Sequence, residues 1–158
     1  MLQRIQSLFL AVVAIACILL FFFPLAYYYN ELQGNYRFFI YGIKCMDPEP
    51  KVLFSSFFTL PLIFLVIASF IFTIATIILY KNRRLQIRIC AFNVLTNIVL
   101  IMVIFFFYAT RIKTMTLTEP DYNYIGMILP LVSLAFLILA NRAIRKDEAL
   151  VKSSDRLR

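Results

Sequence analysis

The chain contains no histidine, so the usual imidazole bases and metal ligands are absent and acid–base work would fall to carboxylates. These come as close pairs, Asp47 with Glu49, Glu119 with Asp121, and Asp147 with Glu148. Each pair stands in a loop or the tail, where a solvated charge is the expected state. Cys17, Cys45 and Cys90 fall at different expected depths, so neither a disulfide framework nor a thiolate metal site is expected. The glycines, Gly34, Gly42 and Gly126, are too few and scattered for a phosphate loop, and no Ser, His and acid set exists. The inventory points away from an enzyme and calls for no cofactor and no metal.

What remains is hydrogen bonding in an apolar setting. The stretch N-V-L-T-N places Asn93, Thr96 and Asn97 on one face of a helix by its three- and four-residue spacing, and Ser69, Thr73 and Thr76 repeat that spacing upstream. Thr76 and Asn93 would each lie about 6 Å below the charged residues 81–88, and Thr73 and Asn97 about 10 and 12 Å below. Matching depth and a short connection make the two helices antiparallel neighbours, with interhelical hydrogen bonds worth on the order of 0.6 to 2 kcal/mol each.

The elements that carry these residues are membrane helices. Hydrophobic residues make up 63% of the 158, and the uncharged runs 5–30, 52–80, 89–110 and 122–141 each reach the roughly 20 residues that cross about 30 Å of hydrocarbon. The expected fold is an all-α integral membrane bundle of four spans, about 5–26, 54–80, 89–109 and 124–141, forming one domain over 1–158. The formal net charge is +8, but the bases flank the apolar runs, so they are read as topology signals and not as a nucleic-acid surface. Eleven bases fall at the N-terminus, in the loop after the second span and in the tail, against five in the other two loops. That excess puts both termini in the cytoplasm. The cytoplasmic basic face comprises Lys81, Arg83, Arg84, Arg88, Arg142, Arg145 and Lys146, and its expected partner is anionic lipid.

Arg4, an apolar run and A-I-A-C at 14–17 sketch a lipoprotein-type cleavage site, but the residues after Cys17 stay apolar, so the first helix is expected to be retained. The outer loop, 27–51, is rich in Tyr and Phe around a Leu32-Gln33-Gly34-Asn35 turn, which suggests a short hairpin. Tyr27, Tyr28, Tyr29, Tyr36, Tyr41, Tyr108, Tyr122 and Tyr124 are expected to form a belt at headgroup level. Pro61 belongs at the rim of the second span. Pro130, by contrast, lies about 18 Å before Arg142 and crowds the carbonyl of Gly126, so a helix bend is expected there. The tail, 142–158, has Ala143, Ile144, Leu150, Val151 and Leu157 at helical spacing and is expected to stay helical past the bilayer as an amphipathic helix, lying on the inner leaflet in the preferred reading or packing on a cytoplasmic partner in the other.

M-L-Q-R-I-Q at the start, K-N-R-R-L-Q-I-R at 81–88, L-P-L at 129–131 and R-A-I-R-K-D-E-A-L-V-K-S-S-D-R-L-R at the end resemble a bacterial inner-membrane family catalogued as domain of unknown function 4293. The resemblance covers the whole chain. It implies four membrane helices with cytoplasmic ends, supplies no catalytic residue, and draws attention to Arg4, Arg83, Arg142 and Asp147. The expected role is a structural or accessory subunit of a membrane complex, with a membrane-protein partner or a second copy beside it. The alternative is a binder of a small apolar or lipid-like molecule, lined by Phe and the Asn93 and Asn97 face near Pro130.

Overall fold

The computed structural model describes residues 2–30, 34–47, 54–55 and 57–156, with side chains described for 5–30, 34–47, 54–55, 57–80 and 82–151. Leu32, Gln33, Glu49, Lys51, Leu157 and Arg158 lie outside the described residues, as do the side chains of Arg4, Lys81, Lys152 and Arg156.

The first helix, α1 (Leu2–Leu19), ends earlier than its apolar run. Pro24 lacks an N–H and disfavours helical geometry in the residue before it, and the chain turns through Leu20–Phe23 hydrogen bonds into an extended segment instead. That segment is β1 (Ala26–Tyr28), which joins β2 (Tyr36–Phe39), β3 (Gly42–Cys45) and β4 (Asp121–Tyr122) in one antiparallel sheet ordered β3-β2-β1-β4. Tyr27 stands opposite Arg37 on one side and Asp121 on the other, so β1 ties the two distant loops together.

Next, α2 (Leu60–Ile78) accommodates Pro61 in its first turn, where the missing N–H costs nothing, and leaves through a tight 3-10 turn, Leu79–Lys81. The following rod has neither Pro nor Gly to interrupt it. It comprises α3 (Arg83–Met102), a π-helical stretch (Val103–Tyr108) and α4 (Ala109–Thr116), continuous over Arg83–Thr116. Leu117 closes it in the left-handed region, at φ 52°. Last, α5 (Tyr124–Arg156) runs through Pro130 for 33 residues, about 50 Å.

The helices form a closed ring of four neighbours: α1 packs between α5 and α2, and α3 packs between α2 and α5. α1, the α2–α3 turn and the end of α5 meet at one end, here the charged end; the sheet caps the other. Three helices, Leu60–Ile78, Arg83–Thr116 and Tyr124–Val151, are long and apolar enough to cross a membrane, and Ile5–Leu19 is a shorter apolar helix beside them. By helix composition this is a multi-pass membrane protein.

Several expectations need correction. The fold is not all-α, since the anticipated hairpin, β1 with β2, is half of a four-stranded sheet. The helices expected over 5–26, 54–80, 89–109 and 124–141 instead end at Leu19, start at Leu60, run over Arg83–Thr116 and continue to Arg156. The tail stays helical as the continuation of α5 as far as Arg156, as expected. The tyrosine set is not uniformly a surface belt. Tyr28, Tyr36 and Tyr108 are buried, because the sheet folds over the end of the bundle and stacks Phe38 on Tyr108 at 5.7 Å.

Candidate functional site

The polar side chains inside the bundle are bonded to one another. Ser69 of α2 donates to Asn93 Oδ1 of α3 at 2.8 Å, and Asn93 Nδ2 donates back to Thr73 Oγ1 at 2.8 Å. Asn97 Nδ2, one turn further, donates to Ser69 Oγ at 2.7 Å. Its Oδ1 faces α5, where the Ser133 hydroxyl lies 2.5 Å away and also 2.9 Å from Pro130 O. Cys17 of α1 approaches Ser69 Oγ at 3.8 Å. One network thus touches all four sides of the ring. Ser69, Thr73, Asn93, Asn97 and Ser133 are all buried, and unpaired amides at this depth would cost several times what their pairing yields.

Of the six polar residues anticipated on the two helices, the structure brings Ser69, Thr73, Asn93 and Asn97 into direct contact. Thr76 is buried but turns its hydroxyl back to Phe72 O at 2.7 Å. Thr96 departs from the expectation of a shared face: its hydroxyl returns to Phe92 O at 3.0 Å, on the outer side of α3. The reason is angular. Residues three apart diverge from the pair four apart, and only Asn93 and Asn97 fall on the side that meets α2.

Gly126 and Pro130, where a bend is expected, both lie within α5. Helix α5 continues through Pro130, and Gly126 serves close packing: a Cβ there would sit 2.1 Å from Pro24 O and 3.1 Å from Leu25 Cα. Backbone meets backbone at this point, which only glycine permits.

At the charged end lies a cleft of about 420 Å³ between α1, α2, α3 and α5. Its polar wall is Gln6, Arg83, Gln86 and Asp147, and its apolar wall includes Leu10 and Ile78. Gln6 Nε2 donates to Ala143 O at 3.3 Å, fastening α1 to α5. Gln86 Nε2 donates to Thr76 O at 3.0 Å, closing the α2–α3 turn. Arg83 Nη1 pairs with Asp147 Oδ2 at 3.3 Å and donates to Asp147 O at 3.0 Å.

The other described bases of the anticipated face lie outside this cleft, Arg142 and Arg145 lining a separate pocket with Val94 and Ile138. Arg84, Arg88, Arg142, Arg145 and Lys146 are exposed, and Arg145 Nε donates to Asn141 Oδ1 at 2.8 Å. Among the described residues no group of three or more His, Cys, Asp or Glu could hold a metal ion.

A family model for a domain of unknown function, DUF4293, matches residues 2–157. The chain belongs to the DUF4293 family. No curated protein and no solved structure matches it. In this DUF4293 chain, sequence reasoning overlooked Ser133, Gln6, Gln86 and the Asp147 partner of Arg83. Ser133 had a usable signal: it lies about 14 Å from Arg142 along the helix, the depth of Asn97. Gln6 and Gln86 had none, since a glutamine beside a charged run reads as surface until the helix opposite is known.

Proposed function

We propose that this DUF4293 protein is a non-enzymatic accessory or scaffolding subunit in a bacterial inner membrane, spanning four times with both termini in the cytoplasm. The observation that supports it most is the network around Asn93 and Asn97. Those amides are spent on Ser69, Thr73 and Ser133, so they rigidify the bundle and are not held out toward a solute. Pathways for protons or ions are ordinarily marked by ionisable groups at membrane depth, and 5–30, 52–80, 89–110 and 122–141 contain no Asp, Glu, Lys, Arg or His.

In this reading α1, about 27 Å long, spans beside α5 with the turn before β1 completing the crossing. The exposed stripe Phe64, Ile67, Ile71, Ile74 and Ile78 on α2 faces lipid or a partner helix. The alternative pocket at the Asn93 and Asn97 face near Pro130 has its polar lining already used within the bundle, which favours the subunit reading.

Topology and role are tested separately. Cys45 is partly exposed on β3 whereas Cys17 and Cys90 are buried, so a membrane-impermeant maleimide should label intact spheroplasts at Cys45, with Cys45→Ser abolishing the signal. Labelling only after disruption of the membrane would reverse the orientation. For the role, cross-linking before extraction in mild detergent should trap a second polypeptide or a second copy. A strictly monomeric product would count against a subunit.

A further inference from the structure

The ring of helices is closed, but along the seam between α1 and α2 its surface opens in two places. The cleft at the charged end lies where α1 meets the end of α2, and its mouth is formed by exposed Ile78 and Tyr80. About 16 Å further along α1, the distance from Gln6 to Cys17, the same seam opens again into a groove of about 360 Å³. That groove is apolar, walled by Ile18, Phe22, Val66, Ile67 and Phe70.

We propose that this seam is a binding site for one anionic phospholipid, its phosphate in the cleft against Arg83 and an acyl chain laid between α1 and α2 toward the apolar groove. The chemistry of the two openings matches the two halves of such a molecule. Only Nη1 of Arg83 is engaged by Asp147, so the rest of the guanidinium fork remains for a phosphate, which it fits in geometry. Gln6 and Gln86 add amide groups beside it. Asp147 offsets part of the Arg83 charge. The exposed Arg84, Arg88, Arg142, Arg145 and Lys146 at the same end of the bundle restore a positive field, which selects an anionic over a zwitterionic headgroup.

A water-soluble phosphate ester would use only the polar half of the cleft and would meet Leu10, Ile77 and Ile78 with its solvated edge. A lipid meets them with its chain, and enters sideways through the Ile78 and Tyr80 mouth without leaving the bilayer. The site rests on the proposed topology only for which leaflet supplies the lipid. The Cys45 labelling experiment reports on that point independently.

The test uses the full chain purified in mild detergent, with native mass spectrometry for retained lipid and thermal unfolding for added ligand. About one phospholipid should remain per protein. Phosphatidylglycerol should raise the melting temperature by several degrees, while phosphatidylcholine and inorganic phosphate should not. The double variant Arg83→Gln with Asp147→Asn keeps an amide pair in place and removes the charges, and should lower retained lipid at least tenfold. Ser7→Trp, at the exposed edge of the cleft, should do the same by filling it should the double variant fail to fold. Arg111→Gln with Lys113→Gln, in α4 at the opposite end of the bundle, should retain the lipid. Equal stabilisation by phosphatidylcholine, full stabilisation by inorganic phosphate alone, or undiminished lipid in the cleft variants would each overturn the proposal.

Discussion

Arg83 holds Asp147 twice, with Nη1 3.3 Å from the carboxylate Oδ2 and 3.0 Å from the backbone carbonyl. The first residue of α3 is thereby fastened to α5 beyond its basic cluster, and Ile144, one turn earlier on α5, is buried against the bundle. Protein contacts hold this part of the tail, which a surface helix on lipid would not need. Arg83→Ala should therefore loosen it. The pair is partly exposed, with side-chain exposures of 28% and 14%, so the expected loss is about 1 kcal/mol after solvent screening, the backbone hydrogen bond included. Proteolysis of inside-out vesicles should cut faster between Ala143 and Lys152 in this variant than in Arg142→Gln, and raising the salt concentration should change the parent little. Equal rates in the two variants would return the tail to the lipid.

Asn97 joins α2 to α5 through Ser69 and Ser133, whereas Thr96 bonds only to its own helix. Asn97→Ala should destabilise the bundle by about 1 to 3 kcal/mol, since it leaves buried hydroxyls with poorer partners. Thr96→Ala should cost less than about 0.5 kcal/mol. A double-mutant cycle between Ser69 and Asn97, read by unfolding in mixed micelles, should give a coupling of about 0.6 to 1.7 kcal/mol. Zero coupling would mean that the two residues act independently.

The spacing of Asn93, Asn97, Ser69 and Thr73 was legible because helix period and distance from charge are both written along the chain. Which way each helix turns is not so written, and that is why Thr96 appeared to belong with its neighbours. The sheet was only half legible. Tyr and Phe around a turn announce β1 and β2, but β4 is the two residues Asp121 and Tyr122, recruited by pairing with Ala26 and Tyr27 far upstream. A strand that short has no signal of its own. The length of α3 and α4 was hidden by Arg111 and Lys113, which mark the end of an apolar run but not the end of a helix. Gly126 was read through its neighbour Pro130, when its importance comes from Pro24, a contact between residues distant in sequence.

That contact gives a third prediction. A methyl group at Gly126 would fall 2.1 Å from Pro24 O, and neither backbone can move without disturbing the turn that leads into β1. Gly126→Ala should cost about 1 to 3 kcal/mol or more from overpacking, despite the better helix propensity of alanine. Thermal unfolding in detergent measures it. A stabilised Gly126→Ala would show that α5 and the Pro24 turn do not touch.

Tyr28 gives the last. It is fully buried in β1, and its hydroxyl has no hydrogen-bond partner among the described residues. Burial pushes its pKa up, and the neighbouring Tyr122 adds to the rise. The folded protein therefore keeps this phenol neutral, while an unfolded chain ionises it near the ordinary tyrosine value of about 10. Its contribution to stability is fully present below that value and is lost as the pH rises beyond it. Removing the hydroxyl deletes an unpaired polar atom and the alkaline sensitivity together. Tyr28→Phe should match or exceed the parent by about 1 kcal/mol at pH 8, and its advantage should widen between pH 10 and 11. Melting temperatures of the two proteins across that range decide the matter: a parent more stable than Tyr28→Phe at pH 8 would mean that the hydroxyl has a bonding partner, such as a buried water.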